Sequence, residues 1–232
     1  MRRQAIILAG GFGTRLREVV NNVPKPMAPI GDKPFLAYLV DDLLANNFDQ
    51  IILSLHYMPE LIQDYFKTNY PGQNIQYAVE SEPLGTGGAV KYALTKLASS
   101  EPVLILNGDS YLQVNYNAIY QAHTQSKADL TMLLREVENS GRYGRVCLDE
   151  YNKIISFEEK SNAGQGLINA GLYLLNPSVL ELSSLPNTFS LENDFFKPYL
   201  PSLNAKGFVV DGYFIDIGIP EDYARAQVDL QY

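Results

Sequence analysis

The sequence predicts an α/β fold in which a mostly parallel sheet is flanked by helices on both faces. Three observations point there. Short apolar runs rich in β-branched residues alternate with segments of helical spacing from residue 4 to about 126. The first run leads straight into a glycine-rich turn, Leu8-Ala9-Gly10-Gly11-Phe12-Gly13. A later run ends in Asn107-Gly108-Asp109, and in parallel sheets ligands gather at the carboxyl ends of strands.

Taken in order, Gln4-Ala5-Ile6-Ile7 has the length and branching of a buried first strand. Residues 35–44 place Phe35, Leu36, Leu39, Val40, Leu43 and Leu44 at helical spacing and stop at Asn46-Asn47. Residues 50–55 read as a second strand. Residues 59–70 read as a helix with Pro59 in its first turn, where a missing donor costs least. Residues 75–80 form a third strand, 86–97 a helix and 103–106 a fourth strand. Beyond residue 129 the texture changes. Segments 129–136, 145–149, 153–157 and 167–175 read as strands with fewer helices between them, which predicts a small mixed-sheet lobe. Residues 189–199 and 220–231 read as helices, the second again opening with proline.

The chain of 232 residues suits one domain with a small appended lobe, so 1–232 reads as a single unit. Apolar residues make up 46%, ample for a large core. A formal charge of −8 argues against a nucleic-acid partner, which demands a basic face, but not against nucleotides. Cys147 has no second cysteine to pair with; it reads as a small buried hydrophobe in a reducing compartment. The apolar run over residues 5–9 is too short for a signal-peptide core, and no later run reaches membrane-spanning length. The protein therefore reads as soluble and cytoplasmic, with no membrane partner.

The chemistry concentrates in Leu8-Ala9-Gly10-Gly11-Phe12-Gly13-Thr14-Arg15-Leu16, followed by Pro24-Lys25-Pro26. A glycine turn at the end of a strand leaves backbone N–H groups bare, and Arg15 and Lys25 add cations, which together make a cradle for a polyphosphate. The Walker pattern does not fit, because Thr14-Arg15 stands where Lys-Ser/Thr is required. The dinucleotide fingerprint fails too, because Leu16 occupies its third glycine position, and this discounts a nicotinamide-dependent dehydrogenase.

This joint pattern resembles the signature of the sugar-1-phosphate nucleotidyltransferases, enzymes that make nucleotide sugars. The resemblance implies a Rossmann-like, GT-A-like nucleotide-diphospho-sugar transferase fold. Its nucleotide-binding part would span about 1–126 and its sugar-phosphate-binding part about 127–232. It further implies that Leu8, Ala9, Gly10, Gly11, Gly13 and Thr14 bind the triphosphate, that Arg15 contacts its phosphates and that Lys25 sits at the reacting α-phosphate. Glu18-Val19-Val20 stands where the commonest version carries Pro-Leu-Thr, a departure that narrows the subfamily.

Nucleotidyl transfer needs a divalent ion, and Mg²⁺ takes oxygen ligands, usually one or two carboxylates with phosphates and waters. Asp109, next to Gly108 after a buried strand, is the first candidate ligand. Asp216, between apolar Ile215 and Ile217, is the second, since a carboxylate there is costly to bury unpaired. The resemblance assigns both to the metal. It also assigns base recognition to Glu80 through Ala89, with backbone near the Leu84-Gly85 pair contacting the base, and it places Glu80, Gly85, Thr86 and Gly108 among the nucleotide-binding residues. Glu80 offers two acceptors to the N1–H and N2 amino donors of guanine, so GTP is the favoured donor; an exposed loop glutamate is the competing reading. On the acceptor side the resemblance assigns Gly144, Glu159, Lys160 and Asn169 to the sugar phosphate. His56 and His123 match no motif and read as structural.

Within the family, Gly13-Thr14-Arg15-Leu16-Arg17-Glu18-Val19-Val20, Asn107-Gly108-Asp109-Ser110 and Ser190-Leu191-Glu192-Asn193-Asp194-Phe195-Phe196 resemble most the branch that guanylylates a heptose 1-phosphate. Guanylyltransferases of mannose 1-phosphate and uridylyltransferases of N-acetylmuramate 1-phosphate are the near alternatives. A non-catalytic nucleotide-sugar sensor is the reading from another class, and retention of Arg15, Lys25, Asp109, Lys160 and Asp216 argues against it. Short members of the family are often dimers, which makes a homodimer the assembly to test.

Overall fold

The computed structural model describes residues 2–11, 13, 16, 20, 22–159, 164–181 and 184–230. In chain order the first half runs β1 (Gln4–Leu8), β2 (Pro29–Ile30), β3 (Lys33–Pro34), α1 (Phe35–Ala45), β4 (Gln50–Leu55), α2 (Pro59–Asn69), β5 (Ile75–Val79), α3 (Gly85–Leu94), β6 (Val103–Asn107), β7 (Ser110–Leu112) and α4 (Tyr116–Gln125). The second half runs β8 (Leu130–Val137), β9 (Gly144–Leu148), β10 (Ile154–Glu159), β11 (Gly166–Leu175), α5 (Ser178–Glu181), α6 (Lys197–Tyr199), β12 (Ala205–Val209), β13 (Phe214–Asp216) and α7 (Pro220–Asp229).

β1 lies at the centre because it is apolar on both faces. It pairs in parallel with β4 and with β6, registering Ile6 against Ile52 and Ile105. Alternate residues then feed two cores. Ala5 and Ile7 face Leu36, Leu39 and Leu43 of α1, Phe66 of α2 and Ile119 of α4. Ile6 faces Val90 and Ala93 of α3 with Phe195 and Phe196. Burying one such aliphatic side chain stabilises the fold by about 1.5–3 kcal/mol. Two buried glutamines fix the amino ends of these strands. Gln4 Oε1 accepts from the N–H groups of Ala98 and Ser99, and Gln50 Oε1 also accepts from Ala98. That capture explains why the helix expected over 86–97 ends at Leu94.

Beyond residue 129, every strand but β13 joins the same sheet. β11 pairs antiparallel with β6, Leu172 against Leu106, and the order β10-β9-β11-β6-β1-β4-β5 is continuous, with β8 on β11 and β12 on β8. The fold is the expected mostly parallel sheet flanked by helices, extended by antiparallel strands. Two short ladders lie outside it, β2–β3 and β7–β13.

Several elements depart from the sequence reading. The helix expected over 189–199 is a π-helical turn, Leu191–Phe196, followed by α6. Helix α4 was not expected, because its polar residues mask an apolar side of Ile119 and Tyr120; Asn115 caps it by accepting from Ala118 N at 3.2 Å. Cys147, expected to be buried, is exposed on β9, because it faces outward beside buried Val146. Among the described residues no helix is long and apolar enough to cross a membrane.

His123 proves structural, as expected. Its Nδ1 lies 2.8 Å from Thr131 Oγ1 and its Nε2 lies 3.2 Å from Asn176 Oδ1, tying α4 to the sheet. Burial pushes its pKa below the usual imidazole value, outweighing Asn176 and Asp129. A depressed histidine pKa contributes stability above the unfolded value, near 6.5, that is lost as pH falls toward the folded one. Thermal melts of wild type between pH 7 and 5 should therefore show a stability loss that is shallower in His123→Gln. Parallel slopes would exclude His123 as the source.

Candidate active site

The carboxyl ends of β1, β4 and β6 open onto a cavity of about 440 Å³, lined among others by Gly10, Gly13, Lys25, Glu80, Asp109 and Gly218. The glycine turn after β1 forms one wall. Gly13 holds φ +58°, and a Cβ there would lie 2.5 Å from Lys25 Cβ, so only glycine lets the lysine stem pass this close. Lys25 itself opens a 3₁₀ turn, Lys25–Met27, in which Pro26 presets the backbone.

The lysine amine lands between two aspartates. Lys25 Nζ donates to Asp109 Oδ2 at 2.5 Å and lies 3.5 Å from Asp216 Oδ1, with the lysine side chain only 9% exposed. The β7–β13 ladder creates this meeting by pairing Asp216 with Ser110, and Ile217 N donates to the Asp109 carbonyl at 3.0 Å. Gly218 N donates to Asp216 Oδ1 at 2.7 Å. Burial first, then the charge of Asp109, holds the Asp216 carboxyl above its usual range, while Lys25 and the Gly218 N–H pull the other way.

These donors suit a hard cation. Two carboxylates meet at one ammonium and repel each other, a repulsion that a divalent ion relieves. Among the described residues no three His, Cys, Asp or Glu side chains are grouped to hold a metal. A cation here would take its remaining ligands from phosphates and water, as Mg²⁺ does.

At the far wall Glu80 is 8% exposed, not the exposed loop glutamate of the competing reading. Ser54 Oγ donates to its Oε1 at 3.2 Å and Leu84 N to its Oε2 at 3.0 Å. A carboxylate has about four acceptor sites, so each oxygen keeps capacity for a ligand donor. The Gly85–Gly88 stretch has a second duty. Phe189 O accepts from Gly87 N and Gly88 N at 3.0 and 3.3 Å, and Thr86 Oγ1 accepts from Leu191 N at 2.8 Å. The start of α3 is thus a dock for residues 189–191.

The other expected residues fall in three groups. Leu8, Gly10, Gly11, Gly13, Lys25, Glu80, Gly85, Thr86 and Asp109 all line the cavity. Ala9 and Gly108 lie just behind it: Ala9 N donates to Ser54 O, and Gly108 N to Leu8 O. On the acceptor side, Gly144, Glu159 and Asn169 sit on adjacent strands and are not among the residues that line the cavity. Gly144 registers against Glu159, and Ile168, beside Asn169, against Arg145. Asn169 sits at a bulge in β11, donating through Nδ2 to Tyr173 Oη at 2.7 Å and accepting from Gly171 N at 3.0 Å. Thr14, Arg15, Lys160 and the Glu159 side chain lie outside the described residues.

Known proteins resemble this chain in sequence and fold. Residues 4–232 match the nucleotidyl transferase family model. The chain belongs to that family. Among its members, a D-glycero-α-D-manno-heptose 1-phosphate guanylyltransferase from Aneurinibacillus thermoaerophilus is 45% identical over 99% of both chains. One of the same name from Campylobacter jejuni is 42% identical over 95% of this chain and 96% of that one. The crystal structure of HddC from Yersinia pseudotuberculosis complexed with GMP-PN superposes with a TM-score of 0.85 at 38% identity, covering 97% of this chain and 98% of that one.

Sequence reasoning missed four polar residues of the cavity wall: Ser54, His56, Asn107 and Glu192. The first three were within reach, since Ser54 is the penultimate residue of β4, His56 follows it and Asn107 ends β6. His56, taken as structural, lines the cavity with Nδ1 3.2 Å from Glu80 O. Glu192 carried no signal beyond its place in the quoted 190–196 run.

The docking of α3 gives a prediction. A Cβ on Gly87 would lie 2.1 Å from the ring of Phe189, which is 4% exposed, whereas one on Gly11 meets nothing within 4 Å. Gly87→Ala should lower the melting temperature by roughly 3–10 °C, the effect of about 1–3 kcal/mol of overpacking. Gly11→Ala should stay within about 0.5 kcal/mol of wild type. Equal melting temperatures for the two variants would refute the dock.

Proposed function

We propose that this protein transfers the guanylyl group of GTP to D-glycero-α-D-manno-heptose 1-phosphate, giving GDP-heptose and pyrophosphate. Sugar-1-phosphate nucleotidyl transfer is the chemistry of its family and relatives. The observation that carries the proposal is the Lys25 ammonium held between Asp109 and Asp216 beside a glycine turn at the strand ends. Guanine is supported by the buried, doubly anchored Glu80 and by the likeness to guanylyltransferases. The heptose rests on that likeness alone.

The nucleophile is a phosphate oxygen, already ionised at neutral pH, so no general base is required. It attacks the α-phosphorus in line. A new P–O bond forms as the bond to the bridging oxygen of the β-phosphate breaks, and pyrophosphate leaves with that electron pair. Lys25 neutralises charge at the α-phosphate, and the glycine turn lets the backbone approach the phosphates. Arg15 is assigned to the leaving pyrophosphate and Lys160 to the incoming sugar phosphate. Glu80 orients the base; Gly144, Glu159 and Asn169 are assigned to the sugar. Mg²⁺ held by Asp109 and Asp216 would supply charge neutralisation between two anionic substrates. Catalysis is then positioning plus electrostatics. The proposal includes small-molecule partners only, a cytoplasmic location and a homodimer as the assembly to test.

Pyrophosphate release with Mg²⁺, crossing GTP, UTP, CTP, dTTP and ATP against heptose, mannose and glucose 1-phosphates, tests the reading. Turnover should require GTP and favour the heptose phosphate. Turnover with another triphosphate would refute the role of Glu80, and nucleotide binding without turnover would favour a sensor. Asp109→Asn should cost about 4 kcal/mol of transition-state stabilisation, on the order of 10³-fold in rate, with the fold intact. Undiminished turnover in that variant would remove Asp109 from the metal site.

A further inference from the structure

The segment after Phe189 places a carboxylate in the cavity that neither the phosphate cradle nor the base contact uses. Ser190 caps the π-helical turn Leu191–Phe196 by accepting from Asn193 N at 3.1 Å, and Asp194 Oδ2 accepts from Ser190 N at 2.7 Å. Such turns are rare and frequent at functional sites. This one delivers Glu192 to the cavity lining, which also includes Asn107 and Asp109.

Glu192 is anchored on one side only. Thr86 Oγ1 donates to its Oε2 at 2.8 Å and Ser190 Oγ to the same oxygen at 3.1 Å. Among the described residues no donor is found on Oε1. The two hydroxyls fix the carboxylate's direction and leave an acceptor for a ligand. An anionic oxygen repels phosphate, so its partner must be a donor. The donors of guanine are matched by Glu80, which leaves sugar hydroxyls. The position selects which sugar. Phe196, in the same π turn, packs on the ring of Tyr173 with centroids 4.9 Å apart, and the Tyr173 hydroxyl accepts from Asn169 Nδ2 at 2.7 Å. The turn that carries Glu192 therefore stands on the side of Asn169.

We propose that Glu192 accepts a hydrogen bond from a hydroxyl of the acceptor sugar and is a specificity-determining residue of the reaction. This rests on the reading of the cavity as a site of sugar-phosphate guanylyl transfer. Hydrogen bonds to charged groups are strong enough to set preference among sugars that differ by one hydroxyl.

The test is steady-state kinetics of wild type, Glu192→Gln and Glu192→Ala with Mg²⁺, GTP and heptose 1-phosphate, then with mannose 1-phosphate and its 2-, 3-, 4- and 6-deoxy analogues. Wild-type turnover tests the underlying reading by itself; no turnover with any sugar phosphate overturns both. Given turnover, Glu192→Ala should lower kcat/KM for the sugar phosphate by roughly 10- to 100-fold, with KM for GTP within about twofold of wild type. One deoxy analogue, poor with wild type, should lose its penalty in Glu192→Ala. Glu192→Gln keeps an oxygen for the Thr86 and Ser190 hydroxyls, and so separates loss of the ligand contact from loss of the segment. A rise in KM for GTP that matches the sugar defect would move Glu192 to the nucleotide. Unchanged sugar kcat/KM in both variants, or a deoxy series that all variants rank alike, would overturn the proposal.

Discussion

One ammonium between two carboxylates organises the site. Lys25, Asp109 and Asp216 come from parts of the chain that share no local structure, and each is brought in by a different device. A positive-φ glycine makes room for the lysine stem, a buried parallel strand ends at the first aspartate, and a three-residue antiparallel ladder carries the second. The cluster is not optimised for stability. Asp216 remains half-buried beside a like charge, and burial first, then the charge of Asp109, raises its pKa. Functional sites commonly hold such unfavourable pairs, and the surrounding packing offsets the cost.

That packing was largely legible in the sequence. The parallel strands β1, β4 and β6 are largely apolar runs bounded by polar or glycine residues, and the helices between them show 3.6-residue spacing. The cradle was legible because its glycines follow β1, Asp109 follows β6, and Lys25 stands between two prolines. What stayed hidden has physical reasons. Helix α4 draws its place from tertiary contacts of His123 and from an asparagine cap rather than from amphipathic patterning. The π turn carries apolar residues at spacings an α-helix would also use, so sequence periodicity cannot tell them apart. Strand β13 has three residues and gains its identity from pairing with β7.

The candidate site was read in its anions and cations and missed in its neutral supports. Ser54 and Leu84 N set the direction of the Glu80 carboxylate. Thr86, expected near the base, has its hydroxyl engaged by Leu191 N and Glu192. Hydrogen-bonding partners distant in sequence leave no spacing pattern: Ser54 is 26 residues from Glu80, and the partners of Thr86 are 105 or more away.

The pairing of β6 with β11 has a consequence for synthesis. When β1, β4, β5 and β6 have emerged from the ribosome, the first-formed sheet still presents the open backbone of β6 on one side. Its proper neighbour, residues 172–175, arrives more than sixty residues later. An unpaired, apolar strand edge is a template for the wrong chain as much as for the right one. The half that looks most like a self-sufficient unit is thus the half most exposed to aggregation while the nascent chain waits for its own C-terminal strands.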